Sequence, residues 1–202
     1  MKLNNTFKST FAIAALTLAA ASQAGQFEKI DTLKDGTNVY AYTGSMEMED
    51  AKTYKQILDR DRHSVIVINS PGGQFVAGLE MGQMTMERAS EVTLIVDMAY
   101  SAAGMWALAD DKITFLAEES ELGLHLPFRA DAETGAEASK ASQPSLEGEQ
   151  MFIGYAMGHF LQERFGANAA FAIMNDLAKI RDEFGTQGFL VFNGKQEVGI
   201  RK

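Results

Sequence analysis

The chain has 202 residues, 46% of them hydrophobic and 22% charged, with a net charge of −9 and no cysteine. This suffices for one ordinary domain with a sizeable core. It excludes a disulfide scaffold, a thiolate-held metal and a cysteine nucleophile. The acidic balance argues against nucleic acid or an anionic membrane surface as a partner. Histidine occurs only at 63, 125 and 159, which argues against a multi-histidine metal site.

The first residues read as a leader. Lys2 and Lys8 precede an uncharged apolar stretch, 11–21, followed by Ser22-Gln23-Ala24 with small residues at the −3 and −1 positions of a cut. A basic start, a short apolar centre and a small-residue site make a secretory signal peptide. The stretch falls short of the roughly 20 apolar residues that span a bilayer. Cleavage after Ala24 is expected, leaving 25–202 as a single domain of net charge −11 once Lys2 and Lys8 are gone. The product is expected in a periplasm or secreted, with no stable membrane anchor.

The mature chain reads as alternating strands and helices. Residues 38–43 (NVYAYT) alternate and are rich in β-formers, predicting a strand. Residues 47–62 are polar with Ala51, Tyr54 and Ile57/Leu58 at helical spacing, predicting a surface helix. The β-branched run 64–69 (SVIVIN) predicts a strand buried on both faces. Ser70-Pro71-Gly72-Gly73 ends it, and 75–89 continue in helical period. A second buried strand is predicted at 92–96, a small apolar helix at 102–109, a third strand at 112–116 and a short fourth at 122–126. This order implies right-handed crossovers and a largely parallel sheet, an α/β fold. Residues 130–148, rich in Ala, Ser, Glu and Gly without apolar period, predict a mobile loop. Two helices follow at 150–165 and 168–180, split by Gly166. The chain ends with a strand (FLVF) and a turn at Asn193-Gly194.

Three polar breaks fall at carboxyl ends of predicted strands, where α/β sheets bind ligands. Ser70-Pro71-Gly72-Gly73 can bend tightly and present N–H groups to a phosphate or an oxyanion, or can be a plain turn. Ser101 stands between a strand and a helix, either as an N-cap or as a nucleophile with the Ala102 N–H helping to hold an oxyanion. His125 lies in an apolar run after a strand. A serine nucleophile needs a base, and histidine suits near-neutral pH. His63, among charged residues, reads as solvated, and His159 as helix packing. By elimination His125 is the base candidate.

These motifs together resemble the Clp protease proteolytic subunit family: V-I-V-I-N-S-P-G-G at 65–73, A-Y-S-A-A-G at 99–104 and L-G-L-H-L-P at 122–127. Within that family the chain is most similar to exported Clp-like proteins. The resemblance implies a crotonase-like fold of repeated β-β-α units with late packing helices. It also implies a Ser-His-Asp peptidase acting on peptides or unfolded segments, with no cofactor or metal. Ser101 then matches the nucleophile, His125 the base, and Gly72 or Gly73 with Ala102 the oxyanion hole. Asp182 is the choice for the third catalytic residue and Asp176 the runner-up. A homo-oligomer is implied, with Phe152, Ile153, Tyr155, Met157 and Phe160 packing between subunits. An exported compartment lacks the ATP that a partner unfoldase needs, so ATP-independent action is expected.

The chain departs from the family in having Ala102 after the serine and a polar loop after His125. The altered residues after Ser101, together with the weak match for the aspartate, motivate a rival reading, a catalytically inactive binding or assembly module. A crotonase acting on acyl-CoA thioesters would need CoA outside the cytoplasm. A Ser-Lys peptidase would need Lys112, poorly placed at the far end of the predicted helix.

Overall fold

The computed structural model describes residues 24–128 and 146–201. Residues 1–23 of the expected leader and residues 130–145 of the expected loop lie outside the described residues. The elements run β1 (Gln26–Thr32), β2 (Asn38–Thr43), α1 (Met48–Arg60), β3 (Ser64–Ser70), α2 (Phe75–Glu87), β4 (Val92–Tyr100) and α3 (Ala102–Ala107). They continue with β5 (Thr114–Phe115), β6 (Glu121–Leu124), α4 (Leu146–Phe165), α5 (Ala167–Phe184), a 3₁₀ turn at Gly185–Gln187, β7 (Phe189–Asn193) and β8 (Val198–Arg201).

The strands form one sheet in the order β1-β2-β3-β4-β6-β7-β8, with β5 beside β4. β2, β3, β4, β5 and β6 pair in parallel, while β1, β7 and β8 add antiparallel edges. The largely parallel α/β architecture expected from the alternating elements is therefore present. β3 is central and shielded on both faces, as its unbroken β-branched run requires. Ile66 and Ile68 face the main core, while Val65 and Val67 join Val39 and Ile95 in a smaller cluster on the other face.

Several expectations need correction. β1 adds a strand that carries no clear sequence signal: it is an exposed edge with little apolar alternation, and pairing with β2 rather than burial holds it. The strand predicted over 112–116 contracts to Thr114–Phe115. Residues 146–148, expected in the loop, belong to α4.

The main core centres on aromatic rings. Trp106 meets Tyr42 at 5.3 Å and Tyr54 at 5.0 Å, edge to face, a favoured geometry for aromatic pairs. The polar atoms of Trp106 and Tyr54 are satisfied at Thr85. Its hydroxyl donates to Met81 O at 2.9 Å, and it accepts Trp106 Nε1–H at 3.0 Å. With the Thr85 proton so engaged, the Tyr54 hydroxyl donates across the 2.8 Å contact. This buried polar triad fixes α1, α2 and α3 against one another. Arg164 of α4 reaches the end of α3, donating to Leu108 O at 2.7 Å and Asp110 O at 2.6 Å. A cation on carbonyls at a helix C-terminus is favourable.

Candidate active site

The register of three parallel strands brings the polar breaks together. Ser70 of β3 lies opposite Ala99 of β4, and Tyr100 of β4 lies opposite Gly123 of β6. The chains leaving β3, β4 and β6 therefore emerge side by side, carrying Gly72-Gly73, Ser101 and His125. A register irregularity follows Ile68, where the partner of the next residue steps from Val96 to Met98. The residue skipped is Asp97, and Asn69 Nδ2 donates to its carboxylate at 2.7 Å. Such bulges re-aim the side chains beyond them and are frequent beside active sites.

Ser101 takes up the N-cap position of α3 with φ 55° and ψ −122°, uncommon for a residue other than glycine. Its amide donates to Gly123 O at 2.9 Å and its carbonyl accepts Met105 N–H at 3.1 Å. These bonds hold the strained turn. The side chain makes no capping bond. Instead Ser101 Oγ stands 2.6 Å from His125 Nε2. Of the two roles open to Ser101 in the sequence, the geometry is that of a hydroxyl paired with a base.

His125 comes directly after β6. Its ring packs against Phe189 and Phe128, with centroids at 4.8 and 5.4 Å. Burial pushes the imidazole down to about 4; the backbone at Leu126 opposes this and the charge of Arg181 adds to it. The ring is thus neutral at neutral pH. For Nε2 to accept the serine proton, the ring's own proton sits on Nδ1. That atom is buried and has no hydrogen-bond partner among the described residues.

The third member named in the sequence is not brought to this pair. Asp182 is exposed on α5, and no carboxylate among the described residues hydrogen-bonds His125 Nδ1. Asp176 is exposed on the same helix and pairs with Lys179 at 3.3 Å. The structure brings Ser101 and His125 together and leaves both aspartates out. The reason is helical geometry: each aspartate lies on the solvent face of α5, whose core face presents Ala170, Leu177 and Ile180.

The glycines approach Ser101 by backbone alone. Gly72 has φ 100°, and a Cβ there would lie 2.6 Å from both Ser101 Cβ and Tyr100 O. Gly73 has φ 149°, and its Cβ would strike the Met46 backbone at 2.4 Å. The Gly72 amide donates to Ser70 Oγ at 3.1 Å, while Ser70 Oγ donates to Gly44 O at 2.7 Å. Of the two glycines, Gly73 therefore has the amide left for a ligand, together with Ala102 at the start of α3. Ser70 clamps this loop, a role that nothing in the N-S-P-G-G run marks out, since its partner Gly44 lies far back in the chain.

The pair opens into a cleft of about 930 Å³. Its walls include Pro71, Phe75, Val76, Phe128 and Phe189, with Glu47 and Gln74 beside the glycine loop. Glu47 likewise carries no signal of this place, because on the sequence it reads only as the start of a charged helix. His63 is exposed, as expected. His159 is also exposed, a correction to its reading as packing, and faces Glu163 at 3.6 Å. Lys112 is exposed before β5 and does not line the cleft. Among the described residues no group of three or more His, Asp or Glu side chains could hold a metal ion.

The Clp protease family model matches residues 45–144, a span containing the glycine loop, Ser101 and His125. Among solved structures the chain is similar to the 1510-N membrane-bound stomatin-specific protease, in an alanine-mutant form. The match has a TM-score of 0.51 and 15% identity, over 77% of this chain and 72% of that one. At this identity the likeness shows the fold. No curated protein matches the chain.

Proposed function

We propose that the Clp-protease-like domain of this chain is a serine peptidase working through Ser101 and His125. The observation that carries this reading is the 2.6 Å contact between Ser101 Oγ and His125 Nε2, made by a serine whose side chain does not cap its helix. Ser101 Oγ attacks the peptide carbonyl carbon while His125 Nε2 takes its proton. The carbonyl oxygen becomes an oxyanion beside the amides of Gly73 and Ala102. His125 returns the proton to the leaving amine, and water repeats the cycle on the acyl-enzyme. The chemistry uses neither cofactor nor metal. The open cleft suits peptides or unfolded segments without an ATP-driven partner. Export supplies the compartment, and N-terminal sequencing beginning at Gly25 is its test.

An active-site-directed fluorophosphonate tests the mechanism, because it reacts only with an activated serine. The wild type is expected to be labelled at Ser101, with labelling lost in Ser101→Ala and strongly reduced in His125→Ala. A folded wild type that takes no label would overturn the reading. The orphaned Nδ1 of His125 favours one rival, a catalytically inactive binding module, and that rival predicts the unlabelled outcome.

A further inference from the structure

We infer that Glu47 makes the cleft selective for peptides carrying a lysine or arginine within a few residues of the scissile bond. The inference deepens the peptidase reading and rests on it for the use of the cleft as a peptide site.

Glu47 is the one formally charged side chain at neutral pH among the described residues lining the cleft. It is half-buried and fixed on both sides. Its backbone N–H donates to Asp50 Oδ2 at 2.7 Å at the start of α1. Asp50 is itself buried and accepts the Tyr42 hydroxyl at 3.0 Å, so the turn is anchored in the core. The Glu47 carboxylate accepts a hydrogen bond from Gln74 Nε2. Gln74 directly follows Gly73, and its amide donates to Met46 O at 2.8 Å. The carboxylate is thus tied to the loop that presents the Gly73 amide. A carboxylate offers about four acceptor positions, so capacity remains for a ligand.

The neighbouring surface matches a long cationic side chain. Met48 and Val76 line the same cleft and are exposed to 37% and 50%. Lysine and arginine lay their methylene stems on apolar surface while the charged head reaches a polar partner. Met48 and Val76 offer the stem that surface, and Glu47 offers the head a carboxylate. An acidic residue in the same place would meet a like charge on the same apolar floor, where screening by water is reduced.

Binding to the full-length Ser101→Ala protein tests this without cleavage. Fluorescent peptides of one apolar sequence, differing only in Lys, Gln or Glu at one position, are titrated by anisotropy. The expected order of affinity is Lys, then Gln, then Glu, with about threefold or more between the extremes. Adding Glu47→Gln should flatten the order, since glutamine keeps the acceptor for Gln74 but not the charge. Adding Glu47→Lys should invert it. Adding Glu49→Gln, the same charge change on an exposed residue paired with Lys52, should leave it intact and controls for the acidity of the whole molecule. No binding by any peptide, no dependence on charge, or an order that survives Glu47→Gln would each overturn the inference. Fluorophosphonate labelling of the wild type reports separately. Lysine-selective binding without label would sink the peptidase reading alone, and label without charge order would sink this inference alone.

Discussion

Ser101 and His125 sit close enough to share one proton, and residues that act as one unit lose their contributions together. Ser101→Ala and His125→Ala should each lower kcat by roughly 10³-fold or more, and the double variant little further. Peptide hydrolysis by the three variants checks this. Asp182→Asn should leave kcat within about twofold in the same assay, because Asp182 is exposed and no carboxylate among the described residues bonds Nδ1. The pH behaviour comes from burial of the imidazole. An ordinary histidine titrates at 6.5, and His125 is lowered to about 4. Between these values the unfolded chain binds the proton and the folded one does not. The stability contributed by the neutral ring is therefore complete above 6.5 and lost as pH falls toward 4. Through that window the His125 ring stays neutral and able to accept a proton. The acid limb of kcat/KM should lie near pH 4 rather than near 6.5, as a profile on a neutral peptide would read. A limb near 6.5 would mean that the ring is solvated in the working enzyme.

At the scale of elements, Ser101 is placed by the packing of α3 against α2. Gly78 of α2 lies where a Cβ would stand 2.4 Å from Ala102 O and 3.0 Å from Ala102 Cβ. The obstacle is backbone, so it cannot swing aside as a long side chain could. Gly78→Ala should push the two helices apart at the cost of about 1–3 kcal/mol of stability. It should also lower kcat/KM, because Ala102 adjoins Ser101. Urea unfolding alongside peptide hydrolysis checks both halves. Unchanged stability would show that α2 can shift freely, and unchanged activity that Ser101 does not depend on it.

For the whole molecule, the question is which apolar side chains remain for a partner. Of the residues expected between subunits, Met157 and Phe160 lie in the chain's own core, at 0% and 2% exposure. Phe152 and Ile153 fall outside the described side chains. Tyr155 remains, exposed to 71%, and Phe171 on α5 is exposed to 75%. We expect a homo-oligomer formed partly through these two rings. Light scattering at tens of micromolar should show an assembly, and Tyr155→Ser with Phe171→Ser should shift it toward monomer. A monomeric wild type would count against it. Among the described residues no helix is long and apolar enough to cross a membrane.

Much of this protein is legible in the chain itself. The β-branched run of β3, the helical period of α2 and the small apolar α3 are strong local signals. Local order also dictates a largely parallel sheet, because strands alternate with helices. The positions of Ser70 to Gly73, Ser101 and His125 at strand ends come from the same pattern. Other features depend on contacts distant in sequence. β1 shows little apolar alternation and exists through pairing with β2. Met157 and Phe160 turn inward while Tyr155 turns outward, a choice made by the rotation of α4 against the rest of the core. Asp182 matches a catalytic aspartate by its order in the chain, yet the solvent face of α5 carries it away from His125. Glu47 reaches the cleft because the segment before α1 pairs with the distant glycine loop, Met46 against Gly73. Periodicity reports which face of an element is buried, but which faces meet is fixed only when the elements pack.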